Sequence, residues 1–297
     1  MKHWVGAFRL RTLPLALSSI MMGGFLAASV NAFQWNIFLL CVATTIFLQI
    51  LSNLANDYGD SIHGADSADR KGPSRAVQSG RISPGQMKAG IIVFVLLSLV
   101  SGVSLLFVSF GVNWNAILFF LGLGILSILA AIGYTVGKKP YGYAGLGDIS
   151  VFIFFGLVGV MGSLYLFTKT FSWQYIFPAI SCGVFAVGVL NINNIRDIES
   201  DKKAGKFSVP VRIGKQKASA YHWTLIIVGL ISAIIFVSMN FVSAIQFLFV
   251  LSAPAFIVIS RNIQVKPSHE LDPYLKFMAL STLLFVILFG VGQLIAF

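Results

Sequence analysis

The chain reads as an all-α polytopic membrane protein with nine transmembrane helices, and three observations lead there. Of its 297 residues, 57% are hydrophobic and only 10% are charged, whereas a soluble domain carries about 25% charged residues. Nine apolar runs are long enough to cross a hydrocarbon core as helices. The segments between them alternate between short, nearly uncharged connections and longer ones crowded with charge.

The runs fall at 8–29, 35–56, 88–110, 115–136, 149–168, 174–195, 219–238, 241–260 and 275–296. The first takes in "RLRT" near its start and is too long for the apolar core of a cleavable leader, with no small-x-small cleavage site. It reads as a span, with Arg9 and Arg11 as membrane anchors. The second, "WNIFLLCVATTIFLQILS", runs into "NLANDYGD". The third should open at "SPGQ", where Ser83 is placed as N-cap, Pro84 as N1 and Gln86 as N3. That leaves 61–82 as a Gly- and charge-rich loop, and loops of that length usually have a function. "GKKPYGYAGLGD" links the fourth and fifth spans, and the sixth ends in "NINNIRDIESDKKAGK". Cys41 and Cys182 sit inside apolar runs and read as packing residues. His3, His63, His222 and His269 are too scattered for a metal triad. The chain forms one domain, 1–297.

Sidedness follows from charge. With the N-terminus cytoplasmic, every Lys and Arg except Lys169 falls in the cytoplasmic segments 1–11, 57–88, 137–148, 196–218 and 261–276, as the positive-inside rule requires. The net charge of +11 is thereby explained without nucleic acid. All ten acids lie on that side too, which the rule does not demand.

The acids gather in two places. Asn53, Asn56, Asp57 and Asp60 are spaced to share one helical face at the end of the second span, and Asp66 follows after a Gly-containing turn. At the end of the sixth span Asn193, Asp197 and Asp201, with Asn194, repeat the arrangement of amides before carboxylates. Near-membrane ionisable groups are costly and usually functional. Carboxylates packed together need neutralising by protons or by hard divalent cations. Arg70, Lys71, Arg75 and Arg81 follow the first cluster, and Arg196, Lys202, Lys203, Lys206 and Arg212 surround the second. Acids for a metal with bases for the remaining oxygens suit a metal-bound diphosphate, and a proton relay has no use for so many bases.

At these residues the sequence resembles the UbiA superfamily of membrane prenyltransferases, whose two Asp-rich motifs follow the second and sixth helices. Here they read Asn56-Asp57-Tyr58-Gly59-Asp60 and Asp197-Ile198-Glu199-Ser200-Asp201. The resemblance runs nearly the whole chain, through "RLRTLPLALSSIMMGG", "GPSRAVQSGRIS", "YTVGKKPYGYAGLGDISVFIFFG" and "NNIRDIESDKKAGKFSVPVRIG", and looks most like the branch that prenylates 1,4-dihydroxy-2-naphthoate. Where the wider superfamily often has a third Asp four residues after the second, this chain has Gly64, and its next Asp is Asp66.

The resemblance implies nine helices around a central cavity open sideways to lipid. It also implies Mg²⁺-dependent transfer of a polyprenyl group from polyprenyl diphosphate to the naphthoate, with loss of CO₂ and diphosphate. Asn53, Asn56, Asp57 and Asp60 would help hold one Mg²⁺, and Asp197 and Asp201 another. Arg196, Lys202 and Lys206, with Arg75, would grip the outer diphosphate oxygens. Lys138 and Lys139 are candidates for the naphthoate carboxylate, Asp148 for a ring hydroxyl, and Tyr134, Tyr141 and Tyr143 for the cavity wall. The site would face the cytoplasm at a bacterial inner membrane, with lipid as the surroundings and no nucleic acid or protein partner. A sister prenyltransferase acting on 4-hydroxybenzoate or homogentisate needs the same metal sites. A Mg²⁺ or proton-coupled transporter would need polar residues through the whole membrane depth, and the outer halves of these spans are apolar.

Overall fold

The structure is a computed structural model, and it describes residues 2–64 and 75–296. Asp66, Arg70 and Lys71 lie outside the described residues. A short helix, α1 (Lys2–Phe8), leads into α2 (Leu13–Ser29), α3 (Trp35–Ile62), α4 (Pro84–Phe110) and α5 (Trp114–Gly133). There follow α6 (Gly147–Thr168), α7 (Trp173–Arg196), the short α8 (Ile198–Lys203), α9 (Val209–Met239), α10 (Ala244–Val265) and α11 (Asp272–Ala296). Among the described residues nine helices are long and apolar enough to cross a membrane, namely α2–α7 and α9–α11, with α1 continuing the first span.

Several ends differ from the sequence expectation. The first span breaks at Arg9, whose φ of 49° is left-handed. The second continues to Ile62, so the Asn53–Asp60 stripe is helical throughout. The third begins at Pro84 with the expected reciprocal cap, Gln86 N–H donating to Ser83 Oγ and Ser83 N–H to Gln86 Oε1. The seventh starts ten residues before the expected 219 because an amphipathic stretch extends it past a break at Gly214, which has φ 79° and ψ 162°. The sixth helix stops at Arg196, and Asp197 (φ −100°, ψ 13°) is a hinge before α8. Asn193, Asp197 and Asp201 therefore do not lie on one continuous helix, although Asp201 N–H still donates to Asp197 O.

Packing is uneven around the bundle. The densest part lies where α7, α9, α10 and α11 meet. Phe185 stacks on Phe256 with ring centroids 4.5 Å apart and meets Phe285 edge-on, and all three are fully buried. Apolar burial gives little driving force between helices in lipid, so close contact must supply it. Accordingly a Cβ on Gly23 would sit 2.1 Å from Ser163 Oγ, where α2 meets α6. By contrast, α5 packs on α3 and α4 but hardly on α6. The space between α5 and α6 is the flank of a cavity of about 440 Å³. Its far wall includes Cys41, Leu105, Leu106, Phe120 and Leu166. Near there Lys169, the lone basic residue of the other face, donates to Ser109 Oγ at 2.6 Å and lies over the Phe110 ring.

Candidate active site

The polar end of the cavity takes Asp60 from the first aspartate motif, whereas Asp57, Asp197 and Asp201 lie outside its lining. Asn53, Asn56 and Asp60 from α3, Asn193 from α7, and Arg75, Tyr134, Tyr141 and Lys206 from the connecting segments all line it. The motif spelling has a local cause at Gly59. A Cβ there would lie 2.5 Å from Thr135 O, so only glycine lets the segment after α5 close against α3. Thr135 then donates to Ala55 O at 3.0 Å, and it contacts Asn56 Oδ1 at 3.2 Å.

Each motif carboxylate is buried, and hydrogen-bond donors of this chain hold Asp57, Asp60 and Asp197. Asp60 Oδ2 lies 2.8 Å from an Arg75 guanidinium nitrogen, and Asp60 Oδ1 accepts from Tyr143 Oη at 3.0 Å. Asp57 accepts from the backbone N–H groups of Ala76 (3.0 Å) and Val77 (3.2 Å). Arg196 grips Asp197 with two parallel bonds of 2.9 and 2.6 Å and reaches Asn193 Oδ1 at 2.9 Å. Asp201 Oδ2 has the Lys206 ammonium at 3.2 Å and no hydrogen-bond partner. Bidentate guanidinium–carboxylate pairs such as Arg196–Asp197 are the strong ones.

Outside the spans, burial pushes the Asp201 carboxyl up to about 6, Lys206 pulling against it and Asp197 adding to it. Lys206 is held above the usual lysine range: burial opposes this, and Asp201 and Asp60 together outweigh it. Lys206 therefore links the two motifs electrically. Burial also pushes the Tyr134 phenol up to about 12, so it faces the cavity as a neutral hydroxyl.

Several candidates are placed away from the expected roles. The Asn53 amide nitrogen donates to Phe8 O (2.9 Å) and Thr12 Oγ1 (3.1 Å), fastening the turn between α1 and α2 to α3. Asp57 is spent on the backbone N–H groups of Ala76 and Val77. Asp148 is outside the cavity lining and accepts from Tyr221 Oη at 3.0 Å. Lys138, Lys139 and Lys202 are exposed and outside that lining as well. Arg9 and Arg11, expected to be anchors, line the cavity. Two residues were not singled out from the sequence. Asp272, at the head of α11, takes Arg11 at 2.9 Å and also Arg196. Lys276, one turn further on, lines the cavity. A lone acid at a helix start reads as an ordinary dipole partner, and nothing local in the sequence marks Lys276.

The donor set suits a hard cation in type, because the buried motif groups offer only carboxylate and amide oxygens. Among the described residues no three His, Cys, Asp or Glu side chains converge on one point, since each carboxylate is turned to a base or a backbone N–H. The under-satisfied Asp201 Oδ2 is the atom best placed to gain from a cation.

An apolar cavity ending in paired acids and bases defines a membrane enzyme for an amphiphile with an anionic head. The model of the UbiA prenyltransferase family matches residues 16–291, and the chain belongs to that family. It is 46% identical to the 1,4-dihydroxy-2-naphthoate octaprenyltransferase of Haemophilus influenzae, over 99% of this chain and 96% of that protein. It is 44% identical to the enzyme of the same name from Escherichia coli, over 91% and 86%. Among solved structures, a UbiA homolog from Archaeoglobus fulgidus bound to DMAPP and Mg²⁺ superposes with a TM-score of 0.63 over 97% of this chain and 99% of that one. At 17% identity that likeness speaks for the fold.

Proposed function

We infer that this chain transfers a polyprenyl group from polyprenyl diphosphate to 1,4-dihydroxy-2-naphthoate, releasing diphosphate and CO₂ and leaving a demethylmenaquinol. The observation that carries this reading is the pairing of buried acids with buried bases in the two motifs, of which Asp60, Arg75 and Lys206 line the polar end of an apolar cavity. The relatives' names supply the acceptor.

Asn56, Asp60, Asp197 and Asp201 would hold Mg²⁺. When bound, the cation neutralises diphosphate charge and eases departure of the leaving group. The chain's own residues do the rest. Arg75 and Lys206, which line the cavity and are now turned to carboxylates, would meet the diphosphate oxygens, and their charge would favour the leaving group as the C–O bond breaks; Arg196, outside the lining, holds Asp197. The apolar wall takes the isoprenoid tail and keeps water from the allylic cation. The Tyr134 and Tyr141 rings, edge-to-face at 5.5 Å, present π-faces to the same space and favour that positive charge. A ring carbon of the naphthoate forms the new C–C bond, and loss of CO₂ returns its bonding pair to the ring and restores aromaticity. The basic, polar end of the bundle faces the cytoplasm by the positive-inside rule.

The test is transfer in detergent from labelled farnesyl diphosphate with Mg²⁺, to dihydroxynaphthoate or to 4-hydroxybenzoate. A prenylated naphthoquinol, abolished by EDTA, is the expected product. A benzoate product would overturn the acceptor, and transfer to neither would overturn the reaction.

A further inference from the structure

The cavity carries two sets of cations. Arg75 and Lys206 sit on the motif carboxylates Asp60 and Asp201. Arg9, Arg11 and Lys276 line the same cavity where the starts of α2 and α11 come together. Resting on the reading above, we propose that Arg9, Arg11 and Lys276 form the recognition site for the carboxylate of the aromatic acid, with Leu15, Ala186 and Ala279 beneath them as the apolar slot for its rings.

Four observations support the assignment. First, all three residues line the cavity, Arg9 half-buried and Arg11 and Lys276 at its exposed rim. Second, the turn that presents Arg9 and Arg11 is fixed from the first motif. Asn53 donates to Phe8 O and to Thr12 Oγ1, and Thr12 Oγ1 in turn donates to Arg9 O at 2.9 Å. Arg9 is held there at φ 49°, a conformation that strains a non-glycine residue and persists where the surroundings over-determine it. Third, the region already binds a carboxylate of the chain itself. Asp272 accepts from Arg11 at 2.9 Å, and Lys276 lies one helical turn beyond Asp272 with no ion pair to a described residue. Fourth, the floor is small and apolar: Leu15, Ala186 and Ala279 form a buried cluster of their own, with Phe155 and Val189 packed on it, which suits a flat bicyclic ring. The lysines of the 137–148 segment, Lys138 and Lys139, are exposed and outside the lining.

The chemistry limits how tightly these cations should hold. A carboxylate that must leave as CO₂ is stabilised in the ground state by every cation on it, so the site serves capture and orientation more than turnover. Its loss should therefore raise KM for the acceptor and leave kcat nearly unchanged, the signature of uniform binding.

The experiment uses the full-length protein in detergent, with 1-hydroxy-2-naphthoate as the stable acid probe and 1-naphthol as the same bicycle without the carboxylate. Wild type should bind the acid at least 10-fold more tightly than 1-naphthol. Lys276→Met and Arg11→Gln should each cut that preference about 5-fold or more, and Lys276→Arg should restore it. In prenyl transfer KM for dihydroxynaphthoate should rise to match, with kcat within twofold of wild type. Binding of geranyl diphosphate with Mg²⁺ is measured in the same samples and should not change, which also shows that the variants are folded. Lys138→Met is the control for the exposed lysines and should behave as wild type. Unchanged acid preference in Lys276→Met and Arg11→Gln, or a loss confined to Lys138→Met, overturns the site while leaving the reaction standing. A parallel loss of diphosphate binding also overturns it, by moving these cations to the diphosphate. A wild-type protein that transfers no prenyl group to the naphthoate removes the parent reading, and this site with it.

Discussion

The two aspartate motifs use the same residue types and are built differently. The first lies on an unbroken helix, α3, and one of its acids, Asp57, faces backbone N–H groups of the chain that returns beside it. The second straddles a break at Asp197, and both of its acids face cationic side chains, Arg196 and Lys206. In the first motif, then, one carboxylate positions a loop and the other, Asp60, receives the Arg75 which that loop delivers. In the second, both carboxylates are held by buried cationic side chains. Shared residue types do not mean shared surroundings: Asp60, Asp197 and Asp201 each face a cationic side chain, and Asp57 faces backbone N–H groups.

The largest effect that would sharpen this comparison is removal of a cation-facing acid. Asp60→Ala and Asp197→Ala should each lower prenyl transfer by at least about 100-fold, since leaving-group stabilisation by a metal contributes several kcal/mol. Initial rates across a Mg²⁺ titration check this, and near-normal rates in either variant would break the assignment. Next comes Lys206→Met. It strands a buried carboxylate, and breaking such a pair costs about 3–5 kcal/mol. The melting temperature in detergent should fall sharply and recover in the Lys206→Met, Asp201→Asn double variant; no recovery would mean Lys206 stabilises by packing.

A smaller effect separates Asp57 from its neighbour. Asp57→Asn keeps an acceptor for only one of the two backbone N–H groups and turns an amide NH2 to the other, a change of about 1.5–3 kcal/mol. KM for the prenyl diphosphate should rise about 10-fold while the Mg²⁺ concentration for half-maximal rate stays put. A shifted Mg²⁺ requirement would return Asp57 to the ligands. The smallest effect is a pH dependence. With its carboxyl raised from 3.8 to about 6 in the folded protein, Asp201 favours folding when protonated. That contribution is full below about pH 4 and is lost as pH rises through about 6. The cation-free protein should therefore melt lower at pH 7.5 than at pH 5.5 by this term, and Mg²⁺ should narrow the gap. Asp201→Asn should flatten it, and an unchanged profile in that variant would assign the dependence elsewhere.

Much of the molecule was legible in advance. Nine apolar runs, the Ser83 cap and the helical Asn53–Asp60 stripe are local properties, set by burial in lipid, capping chemistry and a 3.6-residue repeat. The sequence also showed that acids and bases crowd one face. It could not say which base meets which acid. Lys206 and Lys202 look alike in "SDKKAGK", yet Lys206 is buried between the motifs and Lys202 is exposed. Arg9 and Arg11 look like anchors until a left-handed turn, tied down by Asn53, places them in the cavity lining. Asp148 looks like an active-site acid until Tyr221, on a distant helix, proves to be its partner.

The sequence by itself determined the fold class, the spans and the chemical character of the site, because a bilayer forces each helix to satisfy its own backbone and so makes hydropathy decisive. Only the tertiary structure decided which polar groups meet and where a cavity is left. Those depend on how whole helices pack, on a break at Asp197, on a glycine that lets Thr135 approach, and on α5 standing apart from α6, none of which has a local signature in the chain.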